Sequence, residues 1–202
     1  MTAEPTVFIV DDDPDMRGAL RYLIEGVGLD VVEFENGRAF LDGYDGRRPA
    51  CLVLDMRMPG MGGLDLQDEL HELNIDMPVI MLTGYGDVPS AVRALKSGVV
   101  DFVEKPFNNQ EVLDKIQRSL ETDTERQQER ERHAEIRSRL ERLTPREREV
   151  MKMVISGKSS KEIAHGLDIS IKTVEVHRSH VMEKTQTANV AELLNLVQPF
   201  KN

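Results

Sequence analysis

Five short apolar runs of strand length recur through the first half of the chain, at residues 7–10, 31–34, 51–54, 79–82 and 102–103. Amphipathic stretches at 16–25, 38–44, 64–73 and 90–96 separate them. Turn residues punctuate the alternation: Gly26 and Gly28, Pro59 with Gly60, Gly84 and Gly86, and Gly98. Few folds accommodate this order. Parallel strands need long crossovers and helices supply them, so the pattern predicts an α/β domain with a five-stranded parallel sheet, doubly wound, helices on both faces.

The alternation stops at Phe107, and from there to Thr144 the chain has neither Gly nor Pro. Val112, Leu113, Ile116 and Leu120 fall at helical spacing and predict a helix packed on the sheet. Residues 121–142 are nearly all charged or polar, with opposite charges three or four apart in Asp123/Arg126, Glu129/Arg132 and Glu135/Arg139. That spacing supports an exposed helix. A flexible tether is the competing reading, but tethers favour Gly, Ser or Pro, so a long linker helix is expected. Ile136, Leu140 and Leu143 then return an apolar stripe, suited to packing on a second domain because sustained heptads are missing.

Thr144 before Pro145, with Glu147 three residues past it, reads as a capped helix start, and that helix should stop at Gly157. Further helices are expected at 160–166, 170–185 and 190–197, making an all-α four-helix domain. The expected division is 1–120, 121–143 and 144–202.

The net charge of −10 is unevenly distributed. Residues 1–120 carry 11 Lys and Arg against 22 Asp and Glu, whereas 144–202 carry 9 against 7, a balance of +2. A slightly basic tail is compatible with nucleic acid but argues little alone. The single cysteine, Cys51, excludes an intrachain disulfide framework and suits a reducing cytoplasm. It lies within an apolar run and reads as a buried structural thiol. No apolar run approaches the ~20 residues that span a membrane, and no signal peptide is visible at the N-terminus.

The polar residues stand at the ends of the predicted strands. Asp11, Asp12 and Asp13 follow the first run, Asp55 the third, Thr83 the fourth and Lys105 the fifth. The carboxyl edge of an open α/β sheet is where ligands bind. Carboxylates gathered there repel one another unless a cation intervenes, and a few hard oxygen ligands suit Mg²⁺. One carboxylate can then act as nucleophile toward a phosphoryl group, with Lys105 and the Thr83 hydroxyl contacting its oxygens. Asp13 and Asp15 read instead as a solvated helix start. An EF-hand loop from Asp11 fails because its sixth and twelfth positions are Met16 and Tyr22. Neither a dinucleotide fingerprint nor a Walker lysine motif is present. A Mg²⁺-dependent phosphatase is a rival, but its Asp-x-Asp pair is missing, since Met56 and Arg57 follow Asp55.

Val10-Asp11-Asp12-Asp13, Leu54-Asp55-Met56-Arg57-Met58-Pro59, Leu82-Thr83-Gly84 and Glu104-Lys105-Pro106-Phe107 resemble, in order and spacing over about 120 residues, the receiver domains of two-component signalling, whose fold is flavodoxin-like. The resemblance implies that Asp55 is the phosphoacceptor, supplied by a sensor histidine kinase. It implies that Asp11, Asp12 and the Arg57 backbone carbonyl join Asp55 in holding Mg²⁺, and that the bond before Pro106 is cis. The chain would then be no enzyme toward outside substrates, only the site of its own phosphotransfer and dephosphorylation.

In the tail, 160–170 followed by 171–185 has the helix, turn and helix of a helix-turn-helix unit. Ile163, Ala164, Leu167, Ile169, Val174 and Val181 can form its core, leaving Lys172, Thr173, Glu175, Val176, Arg178 and Ser179 for DNA. Val176 could touch a thymine methyl, and Arg178 a guanine or a phosphate. The run Leu143-Thr144-Pro145-Arg146-Glu147-Arg148-Glu149-Val150, with Gly157 and Ser160-Lys161-Glu162-Ile163-Ala164, resembles the LuxR-type DNA-binding domain. Thr173-Val174-Glu175-Val176-His177-Arg178 is most similar to FixJ-like members of the NarL/FixJ family of response regulators. That resemblance places Glu175, Val176 and Ser179 at base-facing positions; some relatives carry lysines at the first and third. His177 reads as packed or phosphate-contacting, with no metal partner at suitable spacing.

For coupling, Thr83 is expected to move toward the phosphoryl group and Phe102 to change rotamer. The resemblance implies a reshaped helix at 88–96, with Val92 and Lys96 supporting a homodimer that binds promoter DNA and with helix 191–197 meeting its copy. RNA polymerase is a further candidate partner. A protein-interaction adaptor with a degenerate helix-turn-helix is the other rival.

Overall fold

The computed structural model describes residues 4–84 and 101–198. The chain divides into two compact units, Met1–Gln128 and Glu129–Asn202. In the first, β1 (Thr6–Val10), β2 (Asp30–Phe34), β3 (Ala50–Asp55), β4 (Val79–Thr83) and β5 (Asp101–Glu104) form one sheet in the order β2-β1-β3-β4-β5. Every pairing is parallel. Helices α1 (Pro14–Glu25), α2 (Gly37–Gly43), α3 (Gly63–Glu72) and the first part of α4 (Asn109–Glu141), which runs on past Gln128, complete it among the described residues. The helix expected at 90–96 lies outside the described residues, and so do Val92 and Lys96.

Successive side chains of a strand point to opposite faces, and the central strands are apolar on both. Phe8, Val10, Leu52, Leu54 and Met81 pack with Phe40 of α2 and Leu66 and Leu70 of α3. Val7, Ile9, Cys51, Val53, Ile80 and Leu82 pack with Leu20 and Ile24 of α1 and Val112, Ile116 and Leu120 of α4. The sheet is therefore doubly wound, as its continuous apolar runs require.

Asp13 caps α1, accepting from the backbone N–H of Asp15 at 2.9 Å and of Met16 at 3.4 Å, with Pro14 in the first turn. The helix-start reading of Asp13 and Asp15 matches this arrangement. The peptide before Pro106 is cis, and so is the one before Pro49.

The long Gly- and Pro-free stretch is one unbroken helix, α4, from Asn109 to Glu141. Of its expected intrahelical ion pairs, Glu135 and Arg139 meet at 2.6 Å. Asp123 and Arg126 turn elsewhere. Asp123 is fully buried, accepts the Ala50 N–H at 2.8 Å and pairs with Arg48, while Arg126 reaches Asp76 at 3.4 Å. The first residue of β3 presents a buried N–H that needs an acceptor, and Asp123 supplies it. Contacts with the sheet unit thus extend past residue 120.

The second unit consists of α5 (Pro145–Ile155), α6 (Ser160–Leu167), α7 (Ile171–Thr185) and α8 (Val190–Val197). Leu143, Val150, Val154, Ile163, Ala164, Val174, Val181, Leu193 and Val197 are its core, with Leu140 packed against them. Thr144 and Glu147 form the expected capping box. Gly157 turns the chain after α5 with φ of 80°, a left-handed conformation that glycine adopts without strain. Asp168 does the same work between α6 and α7 at φ of 52°. Ser170 caps α7 and does not begin it. In α8, Leu193 and Val197 lie inside this core, so they are not free to meet a second copy, whereas Ala191 and Asn195 are exposed.

Candidate functional site

Strand register brings the polar residues to one edge. Val10 lies beside Leu54, Asp55 beside Leu82 and Thr83 beside Glu104, so Asp11, Asp55, Thr83 and Lys105 end neighbouring strands. The chain leaves β1 for β2 on one side and returns to β3 on the other, which makes this edge the topological switch point.

Asp11 and Asp55 are buried and share one cation. Lys105 Nζ donates to Asp55 Oδ1 at 2.5 Å and to Asp11 Oδ2 at 2.9 Å. The other carboxylate oxygens accept backbone N–H groups, Asp11 Oδ1 from Asp13 at 2.9 Å and Asp55 Oδ2 from Arg57 at 2.8 Å. Arg17 donates to the Asp11 carbonyl at 2.7 Å. Burial raises the Asp55 carboxyl above its ordinary pKa, and the opposing pull of Lys105 does not cancel that rise; the Asp11 charge adds to it. For Lys105 burial works against the charge, but the bonds and charges of Asp55 and Asp11 outweigh it and hold the ammonium above its ordinary value.

Thr83 is half-buried and its hydroxyl donates to the Gly84 carbonyl at 3.1 Å. Phe102 is partly buried against the cluster containing Phe8 and Met81. Asp12 is exposed, and among the described residues no three His, Cys, Asp or Glu side chains gather closely enough to hold a metal. Asp11 and Asp55 thus form a pair bridged by the Lys105 ammonium, with the exposed Asp12 carboxylate beside them and outside their hydrogen bonds. The pair still has suitable chemistry for Mg²⁺, whose protein ligands are commonly one or two carboxylates completed by water.

In the second unit the polar side chains of α7 separate into two sets. Thr173 pairs with Ser170 at 2.8 Å, Arg178 donates to Ser160 Oγ at 3.1 Å, and Lys184 reaches both oxygens of Glu147 at 2.9 and 2.7 Å. Lys172, Glu175, Val176 and Ser179 are exposed. His177 keeps a buried Nδ1 without a hydrogen-bond partner.

Residues 7–117 match the model of the response regulator receiver domain, and residues 141–197 match that of the bacterial regulatory proteins of the luxR family. The chain is a response regulator of the NarL/FixJ family. It is 44% identical over 190 residues to Nodulation protein W of Bradyrhizobium diazoefficiens, covering 94% of this chain and 84% of that one. It is 38% identical over 196 residues to the transcriptional regulatory protein FixJ of the same organism, covering 97% of this chain and 96% of that one. The solved structure of the response regulator StyR superposes with a TM-score of 0.92 at 41% identity, covering 98% of this chain and all of that one. The regulator thus joins a receiver to a LuxR-type DNA-binding domain, the make-up of two-component transcriptional regulators. None of its described helices is long and apolar enough to cross a membrane.

One residue of this response regulator escaped sequence reasoning, as did the tertiary partners of two others. Gly63, the first residue of α3, lies so close to the Asp55 backbone that a Cβ would meet its carbonyl oxygen at 2.4 Å. The Gly62-Gly63 pair just before an amphipathic stretch was the available signal. Glu147 was readable as a cap, but its bonds to Lys184 were not. Asp123 reads as one more charge in a charged helix; nothing in the sequence marks it as buried.

Proposed function

We propose that Asp55 accepts a phosphoryl group from the phosphohistidine of a sensor histidine kinase, and that this modification drives dimerisation and promoter binding. The supporting observation is the shared ammonium, with Lys105 Nζ 2.5 Å from Asp55 and 2.9 Å from Asp11 at the carboxyl edge of the sheet. An Asp55 oxygen attacks phosphorus while the bond to the imidazole nitrogen breaks. Lys105, already placed at that oxygen, then pairs with a phosphoryl oxygen, and the Thr83 hydroxyl leaves the Gly84 carbonyl to donate to another. Asp11, Asp12, Asp55 and the Arg57 carbonyl would hold Mg²⁺, which when bound offsets the charge of the approaching oxygens. Beyond this transfer and its own dephosphorylation the chain catalyses nothing.

Phe102 follows Thr83 into the space it leaves, and Val92 and Lys96 support the homodimer. In the dimer two copies of α7 read paired half-sites, with Lys172, Thr173, Glu175, Val176, Arg178 and Ser179 toward DNA. Arg178, tied to Ser160, suits a phosphate contact better than a base. The regulator would act in the cytoplasm, with RNA polymerase as a further partner and with domains at 1–120 and 144–202 joined by the linker helix.

The test is phosphorylation by acetyl phosphate with and without Mg²⁺, read on a phosphate-affinity gel, together with footprinting on promoter DNA. Asp55→Asn is expected to abolish both label and phosphorylation-dependent protection. Retention of either by that variant would refute the scheme.

A further inference from the structure

Several exposed positions of α7 without side-chain partners share one face. Lys172, Glu175, Val176 and Ser179 recur at intervals of three, one and three, which places them on one helix face. All four are exposed, and among the described residues no hydrogen bond or ion pair is made by the side chains of the three polar ones. Their polar neighbours on the helix are committed inward: Thr173 to Ser170, Arg178 to Ser160, His180 and Lys184 to Glu147. Two of the unpartnered side chains of α7, Glu175 and Glu183, are carboxylates, and Glu175 stands in the N-terminal half of the helix, the part of a recognition helix that meets base edges. A carboxylate on a face meant for a polyanion is repelled by every phosphate it approaches, so it contributes nothing to general DNA affinity.

A carboxylate is acceptor-only, and the major groove offers it few partners. Guanine and thymine present acceptors there; adenine presents an amino group beside the N7 acceptor; cytosine presents an amino group with no adjoining acceptor. Resting on the reading of α7 as the recognition helix, we propose that Glu175 is a specificity-determining residue that selects cytosine at one position of each half-site. Val176, 47% exposed on the same stripe, supplies the neighbouring apolar contact. Glu175 acts by exclusion as much as attraction, because any other base leaves its charge unpaired against the groove.

Glu175 has no internal contact to lose, so its substitutions leave the fold intact. The test selects duplexes from a randomised pool with the full-length chain, in acetyl phosphate and Mg²⁺ and without them, and compares wild type with Glu175→Ala, Glu175→Gln and Val176→Ala. Wild type is expected to enrich a half-site with one invariant cytosine. Glu175→Ala should lose roughly 5- to 150-fold of discrimination at that base pair alone, while its affinity for random duplex rises. Glu175→Gln should shift the preference to adenine, whose N6 and N7 match an amide. If Val176→Ala alters the motif but both Glu175 variants leave it unchanged, or if wild type enriches adenine there, this assignment is wrong and α7 remains the reading element. If wild type enriches no motif, the recognition-helix reading fails and this assignment fails with it.

Discussion

Gly63 opens α3 against the backbone that carries Asp55, and a methyl group there would also meet Met56 Cα at 3.0 Å. Gly63→Ala must therefore displace Asp55 or the helix. We expect a loss of about 1–3 kcal/mol in stability and slower labelling of Asp55 by acetyl phosphate, measured as an initial rate; an unchanged rate would count against the close approach. Glu147 is the corresponding residue of the second unit. Burial works to raise its pKa, but Lys184 and the Thr144 N–H and hydroxyl outweigh that and hold it at about 2, below its ordinary 4.5. A depressed carboxylate stabilises the fold fully above its ordinary value and loses that contribution as pH falls toward the folded one. Glu147→Gln should cost about 1–3 kcal/mol near neutral pH. The gap to wild type should close between about pH 4.5 and about pH 2 in denaturant titrations; a gap that persists in acid would contradict the assignment. Thr144 and Glu147 were legible as a cap because a capping box is local. Lys184, 37 residues on, was not, because only tertiary packing brings it there.

At the scale of elements, what could be read was what periodicity carries. β3, β4 and α5 were evident because each buries a continuous face or carries its own cap. β5 showed only two apolar residues in sequence, since Asp101 and Glu104 extend it through backbone pairing with β4. For α4 the absence of Gly and Pro announced a helix, yet solvated charge and buried charge look alike in a string. Asp123 belongs to the second kind. Its bonds to Arg48 and the Ala50 N–H hold α4 to the amino end of β3, the strand whose other end is Asp55. Asp123→Ala leaves that N–H without its acceptor and the Arg48 guanidinium without its carboxylate, only the Asp76 carbonyl remaining to it, and should destabilise the receiver by about 3 kcal/mol. Asp123→Asn should recover part of the loss. Equal urea midpoints for wild type and Asp123→Ala would show the contact to be incidental.

Over the whole molecule, charge and core follow the same division. The two units have separate apolar cores, and the acid belongs to the receiver while residues 144–202 carry +2. That asymmetry predicts that the full chain binds random duplex more weakly than a 129–202 fragment, which keeps the whole core of the second unit, at low salt, because its acidic receiver repels phosphate. The difference should shrink as salt rises toward about 0.15 M, where the Debye length is about 8 Å. Equal affinities at low salt, by fluorescence anisotropy, would remove charge partition from the account. Cys51 has a separate consequence. It is the chain's single cysteine, wholly buried in β3 between β1 and β4, and burial pushes its thiol well above the ordinary range. Toward alkylating reagents the folded regulator is therefore a cysteine-free protein. Ser179→Cys would supply its only reactive thiol, so a dye or spin label could be fixed to the exposed stripe of α7 without removing any native residue elsewhere.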